Sequence, residues 1–180
     1  MGDNVGKNIN IMKWDYEVDV VVDGSGNGAV AGALCSHDGG AKNVGSEKSD
    51  QFGRTSATSG GGVWIPNNRY AKAENVDDST EDARDYINSV SPPGKIKDEL
   101  VETYLSEAPK MIDYLHENSQ VKYRNLAHYP DYFPDNPGDK AGNRSMEPEP
   151  IYGTKLYKDL KKLKEQHPKT ALTMDPRQMN

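Results

Sequence analysis

The stretch Tyr16-Glu17-Val18-Asp19-Val20-Val21-Val22-Asp23-Gly24-Ser25-Gly26-Asn27-Gly28-Ala29-Val30-Ala31-Gly32-Ala33-Leu34-Cys35 decides the fold. Residues 16–22 are rich in β-branched side chains and read as a buried strand. Glycines at 24, 26 and 28 follow at once, and the small apolar residues 29–35 then read as a helix that Gly39 and Gly40 end. Residues 41–47 supply a second strand, weakened by Asn43 and Gly45, which stand where a buried strand is apolar. Strand, turn, helix and strand in this order imply a parallel pair joined by a crossover helix. The expected fold class is α/β, with a Rossmann-like parallel sheet begun by residues 18–22 and crossed by a helix over 28–38. Helices after Ser79 are expected to pack around that sheet.

The glycines have a chemical reading. Gly24-Ser25-Gly26-Asn27-Gly28-Ala29 fits G-x-G-x-x-A between a strand and a helix. The first glycine permits the tight turn, the second lets backbone approach a pyrophosphate, and the small last residue lets helix and strand pack closely. The helix N-terminus offers N–H groups and a positive dipole end to the phosphates. Glu47 lies 23 positions after Gly24, at the end of the second strand, where a carboxylate accepts hydrogen bonds from a ribose diol. Asp23, just before the first glycine, would repel a pyrophosphate unless it points away or is protonated. Residues 52–62 form a second glycine-rich loop, Phe-Gly-Arg-Thr-Ser-Ala-Thr-Ser-Gly-Gly-Gly, small enough to lie flat against a planar ligand.

Further along, Ser79 or Asp78 caps an expected helix through Asn88, with Asp82 in a capping-box position, and Ser91-Pro92-Pro93-Gly94 breaks it. Residues 98–118 form the best amphipathic helix, with Leu100, Val101, Tyr104, Leu105, Ala108, Met111, Ile112 and Leu115 at three- and four-residue spacing. Pro109 is expected to kink or split it. Residues 129–150, rich in Pro, Gly and Asp, read as loop, and residues 155–166 as a short Lys-rich helix.

The 180 residues carry a net charge of −6, which argues against a nucleic-acid binder with a basic face. One cysteine, Cys35, excludes an intrachain disulfide and fits a reducing, cytoplasmic setting. It lies in the helix after the glycine turn and is expected to pack. Residues 1–14 are a polar tail read as neither signal peptide nor anchor, and no run approaches the roughly 20 apolar residues of a membrane helix. The four histidines show no ligand spacing, so no metal site is expected.

Taken together, Gly24 to Ala29, Glu47-Lys48-Ser49-Asp50, Gly53 to Gly62, Val63-Trp64-Ile65-Pro66-Asn67-Asn68, Asp77-Asp78-Ser79-Thr80-Glu81-Asp82-Ala83, Ala108-Pro109 and Tyr129-Pro130-Asp131-Tyr132-Phe133 resemble the N-terminal region of the 3-ketosteroid dehydrogenases, within the fumarate reductase and succinate dehydrogenase flavoprotein family. The resemblance implies an FAD-binding domain over residues 15–150, followed by an extension over 151–180. It implies FAD-dependent dehydrogenation of a 3-ketosteroid or similar cyclic ketone, a proton leaving one carbon and a hydride passing from its neighbour to flavin N5. It implies cofactor contacts from Gly24, Ser25, Gly26, Gly28, Ala29, Glu47, Lys48, Gly53, Thr55, Ser56, Ala57, Ser59, Gly60 and Gly61, and a substrate-facing role for Tyr132. No histidine lies in residues 52–62, where the covalently flavinylated branch carries one, so the FAD is expected to be noncovalent. Arg54 replaces a glycine of the family's Gly-Gly-Thr-Ser. Family members are far longer, which implies a missing C-terminal half of a two-domain flavoprotein. Two alternatives stand beside this reading: a truncated or degenerate FAD-binding module without turnover, and a fumarate reductase-like enzyme acting on a dicarboxylate.

Overall fold

The computed structural model describes residues 13–151 and 159–164. They group into two compact units, one ending at Thr58 and including the segment from Lys161, the other spanning Ser59–Leu160.

In the first unit, β1 (Val20–Asp23) and β2 (Asn43–Ser46) pair in parallel, with Val20 opposite Asn43 and Asp23 opposite Ser46. Between them runs α1 (Asn27–Asp38). β1 is shorter than the valine-rich run suggests. Its partner strand begins only at Asn43, and before it the Asp19 carboxylate is occupied by the Lys42 N–H at 2.9 Å. Asn43 is accommodated because its amide donates to the Ala33 carbonyl at 3.1 Å and to Ser36 Oγ at 3.2 Å, so the crossover helix satisfies the polar group. α1 buries no residue completely, and Val21 and Val30 are 69% and 57% exposed. Cys35, expected to pack, is exposed.

The second glycine-rich loop is not extended throughout, since residues Arg54–Thr58 form the short helix α2. Phe52 exchanges backbone bonds with Lys162 and Lys164, both at 2.8 Å. Half of the Lys-rich helix expected over residues 155–166 lies outside the described residues. The described part forms a 3-10 turn, Leu160–Lys162, and then Leu163 bridges Phe52.

The second unit contains β3 (Val63–Trp64), α3 (Arg69–Ala73), α4 (Thr80–Val90), α5 (Asp98–Asn118), β4 (Tyr123–Asn125) and β5 (Ser145–Pro148). The strands form an antiparallel sheet in the order β3-β5-β4. Ser79 caps α4 by accepting the Asp82 N–H at 3.0 Å, and the helix ends at Ser91 before the two prolines. α5 has the bounds its periodicity predicts and continues through Pro109 as one helix. A proline there loses its own N–H bond and crowds the carbonyl four residues back, and the buried positions around it, Leu105, Ala108 and Ile112, hold the helix together despite that cost. Ala108 and Ile112 pack with Ile65 and Met146, while Val101 and Leu105 pack with Ala83. The helices thus cover their own antiparallel sheet. β5 falls within a segment that reads as loop by composition. Pairing on both sides, to Val63–Trp64 and to Tyr123–Asn125, makes it a strand despite Pro148. Among the described residues no helix is long and apolar enough to cross a membrane.

Candidate functional site

The first unit carries the glycine turn. Gly24 sits at φ +92°, a conformation L side chains rarely adopt, and its N–H donates to the Ser46 carbonyl at 2.7 Å. Gly26 is the N-cap of α1 and supplies no side-chain cap. The first-turn N–H groups of a helix lack intrahelical partners, so this end is suited to an anion. One of them, that of Asn27, donates to Ser56 Oγ at 3.1 Å. A Cβ placed on Gly24 or Gly28 would meet no atom within 4 Å, and one on Gly26 would come within 3.7 Å of Ser56 Oγ. Ala29 is half-buried behind it.

Glu47 follows β2 directly. Its carboxylate accepts from the Ser25 hydroxyl and from the Ser49 N–H at 3.0 Å, and Arg54 approaches to 3.4 Å. The Ser25 hydroxyl first and then the Ser49 N–H hold the Glu47 carboxyl below the usual carboxylate range against the opposing effect of burial, and the Arg54 charge adds a lesser lowering. Ser25 also accepts the Gly53 N–H at 2.9 Å, so one hydroxyl ties the first glycine turn to the second loop. Gly53 is buried at φ +101°, and a Cβ on it would lie 2.5 Å from the Ala57 Cβ. Thr55 and Lys48 are exposed. Asp23 is turned toward β2, where Ser46 Oγ donates to it at 3.1 Å. Arg54 adopts φ +51°, a backbone conformation that suits the glycine it replaces.

The second unit contains a cavity of about 540 Å³. Gly60 and Gly62 form one side, and Trp64, Tyr86, Tyr132 and Phe133 supply aromatic walls. Ser59 lies just before it and accepts the Gly61 N–H at 3.1 Å. Gly61, at φ +73°, passes so close to Pro148 that a Cβ would meet its ring at 2.9 Å. Tyr132 is 77% exposed. The Tyr129 hydroxyl donates to the Tyr132 hydroxyl at 3.3 Å, and this bond pushes the Tyr129 phenol above its usual range. The charged side chains in the lining are Asp131 and Glu147, and both are engaged: Glu147 with Arg124, Asp131 with Trp64 and Arg144. No arginine or lysine lines the cavity among the described residues.

The structure therefore brings Ser25, Glu47, Gly53 and Ser56 together in the first unit, and Gly60 and Tyr132 into one cavity in the second. Sequence reasoning missed Arg144 and read Asp78 only as a possible helix cap; both side chains are buried with that of Asp131. Nothing in a Pro-, Gly- and Asp-rich segment marks an arginine as buried.

A glycine turn feeding a helix N-terminus, with an acid at the end of the next parallel strand, defines a dinucleotide-binding class. The chain belongs to the FAD binding domain family, which it matches over residues 19–174, and FAD is the cofactor of that family. It is 38% identical over 158 residues to 3-oxosteroid 1-dehydrogenase of Mycolicibacterium smegmatis, covering 88% of this chain and 28% of that enzyme. It is 37% identical over 131 residues to 4-oxocyclohexanecarboxylate 2-dehydrogenase of Sinomonas cyclohexanicum, covering 73% of this chain and 23% of that enzyme. Among solved structures, 3-ketosteroid delta1-dehydrogenase from Sterolibacterium denitrificans, in complex with 1,4-androstadiene-3,17-dione, superposes with a TM-score of 0.77 at 37% identity. That match covers 83% of this chain and 26% of that one. The chain thus spans about a quarter of the length of the relatives it matches.

Proposed function

We propose that this chain is the FAD-binding part, residues 15–150, of a dehydrogenase that acts on a 3-ketosteroid or a similar cyclic ketone. The β1-α1-β2 unit is the opening of a Rossmann-like sheet. Backbone N–H groups within Gly24 to Ala29, apart from those of Gly24 and Asn27 that Ser46 and Ser56 engage, hold the pyrophosphate, and the open space over Gly24 and Gly28 supports this. Glu47 holds the ribose; a carboxylate has about four acceptor positions, so the contacts from Ser25 and Ser49 leave capacity for a diol. Lys48, Gly53, Thr55, Ser56, Ala57, Ser59, Gly60 and Gly61 complete the contacts to a noncovalent FAD. The bound flavin supplies a hydride acceptor.

The observation that carries the substrate class is the cavity. Its size lies within the roughly 300–1,000 Å³ of small-molecule sites, and its walls are aromatic and uncharged apart from two engaged carboxylates. Such a lining suits a neutral, largely apolar ring ketone. A dicarboxylate needs cations to grip it, and the described lining offers none. The Tyr132 hydroxyl donates a hydrogen bond toward the ketone or passes on a proton. Arg54 in a glycine's conformation favours a second reading, a flavin-binding module without turnover.

Binding of 1,4-androstadiene-3,17-dione by the purified chain carrying Trp14→Phe, followed by quenching of the remaining Trp64 fluorescence, tests the substrate assignment. Binding should be saturable and should weaken about 2- to 10-fold in Tyr132→Phe, as loss of one hydrogen bond implies. Equal affinity in the variant would remove Tyr132 from the assignment. No binding by the parent chain would favour the module without turnover.

A further inference from the structure

Tyr132 projects into solvent, yet the residues on either side of it are anchored to buried groups. On one side, Asp131 is buried. Its carboxylate accepts from Trp64 Nε1 at 2.6 Å, from Arg144 at 2.8 Å and from the Lys140 N–H at 3.1 Å. Its own N–H donates to the Lys140 carbonyl at 3.0 Å. On the other side, the Phe133 N–H donates to the Tyr86 hydroxyl at 3.1 Å.

Arg144 stands at the centre of this arrangement, with its side chain 1% exposed. One edge of its guanidinium grips Asp78, through NH2 at 2.8 Å and Nε at 3.1 Å. NH1 reaches both Asp131 and the Gly138 carbonyl at 2.8 Å. The guanidinium carbon also lies 5.5 Å from the Trp64 ring centroid and 5.9 Å from that of Tyr86, two walls of the cavity. Gly138 seals the loop at this point: at φ +75° it passes so close to α4 that a Cβ would overlap the Asp82 carbonyl.

We propose that Arg144 is a positioning residue for Tyr132: through Asp131, Gly138 and the faces of Trp64 and Tyr86 it fixes the loop that presents this tyrosine to the cavity. The proposal rests on the reading of Tyr132 as the substrate-facing group. It assigns to Arg144 no contact with substrate. An exposed phenol on a free loop would sample many directions, and ordering it on ligand binding would cost affinity. A loop fixed in advance avoids that cost. Two carboxylates and a carbonyl in different directions require the planar five-donor fork of arginine; a lysine ammonium, with three donors at one point, cannot span them.

The test uses the 180-residue chain labelled with 13C at the tyrosine ζ carbons, with Tyr132→Phe and Tyr129→Phe assigning the two signals. In the parent chain the Tyr132 signal should differ from that of free tyrosine and shift when Tyr129 is changed to Phe. In Arg144→Lys, with helical circular dichroism retained, it should move to the free-tyrosine position and stop responding to Tyr129→Phe. A folded Arg144→Lys chain with an unmoved, still responsive Tyr132 signal overturns the proposal. If Arg144→Lys does not fold, Asp131→Asn, which keeps the side-chain shape, is read by the same two outcomes. Loss of helix in both variants would also overturn it, because the cluster would then hold the unit as a whole. Failure of the ketone reading is separate: it appears as unchanged ketone affinity in Tyr132→Phe, whatever the spectra show.

Discussion

Helix α5 carries one apolar stripe in sequence but two kinds of position in the structure, and Ile112→Ala against Leu100→Ala separates them. Ile112 is 0% exposed and packs with Ile65, Ala108 and Met146, whereas Leu100 is 61% exposed. Ile112→Ala removes three buried carbons, about 2.4 kcal/mol at ~0.8 kcal/mol each. A residual cavity between α5 and β5 adds to this, giving an expected loss of about 3–4 kcal/mol within the ~2–5 kcal/mol seen for such changes. Leu100→Ala should fall within about 0.5 kcal/mol of the parent. Urea unfolding followed by helical circular dichroism reads both. With a slope of about 1–3 kcal/mol/M, Ile112→Ala should lower the midpoint by on the order of 1–4 M and leave the slope unchanged. The double variant Ile112→Ala/Met146→Ala should lose less than the sum of the singles, because both open the same space. Equal losses from Ile112→Ala and Leu100→Ala, or strict additivity with Met146→Ala, would refute the packing described for this unit.

Other outcomes follow from single residues. Gly138→Ala should destabilise the second unit by more than about 2 kcal/mol in the same urea assay, since a Cβ would overlap the Asp82 carbonyl and alanine disfavours φ +75°. Asn125→Leu should be neutral or stabilising by up to about 1 kcal/mol, because neither amide atom of Asn125 has a partner in the buried site it occupies. The Glu47 carboxyl is depressed in the folded chain, so its contribution is present above the ordinary carboxylate pKa and is lost as pH falls through the lower folded value. A thermal-stability profile against pH should therefore decline on the acid side, and Ser25→Ala, which removes the largest cause, should flatten that decline.

The sequence made the first unit legible because its signals are local. A valine run, three glycines and a helix of small residues mark a strand, the turn and α1 without reference to distant chain, although the extent of β1 is set by its partner β2. The bounds of α5 were equally readable, since the spacing of Val101, Leu105, Ala108 and Ile112 is a property of one helix. Non-local features escaped. β5 is a strand only because β3 and β4 flank it, and its own composition, Ser-Met-Glu-Pro, argues for loop. The buried Arg144 is tolerated because Asp78, 66 positions away, and Asp131 meet it in space. Asn43, which reads as a flaw in a strand, is satisfied by carbonyl and hydroxyl groups of the helix it packs against. Site residues divide along the same line: Ser25 and Glu47 come from a motif, while the bond between Ser25 and Gly53 needed the fold.

FAD binding through the glycine turn and Glu47 is the proposal from which the assigned chemistry follows. The visible absorbance of the purified chain and its thermal shift with added FAD, with Glu47→Ala beside it, test that proposal most directly. The parent chain should show a flavin spectrum or a saturable shift, and Glu47→Ala should lose it; a colourless chain that FAD does not stabilise, or a Glu47→Ala variant that binds as well as the parent, would rule out FAD binding through this site.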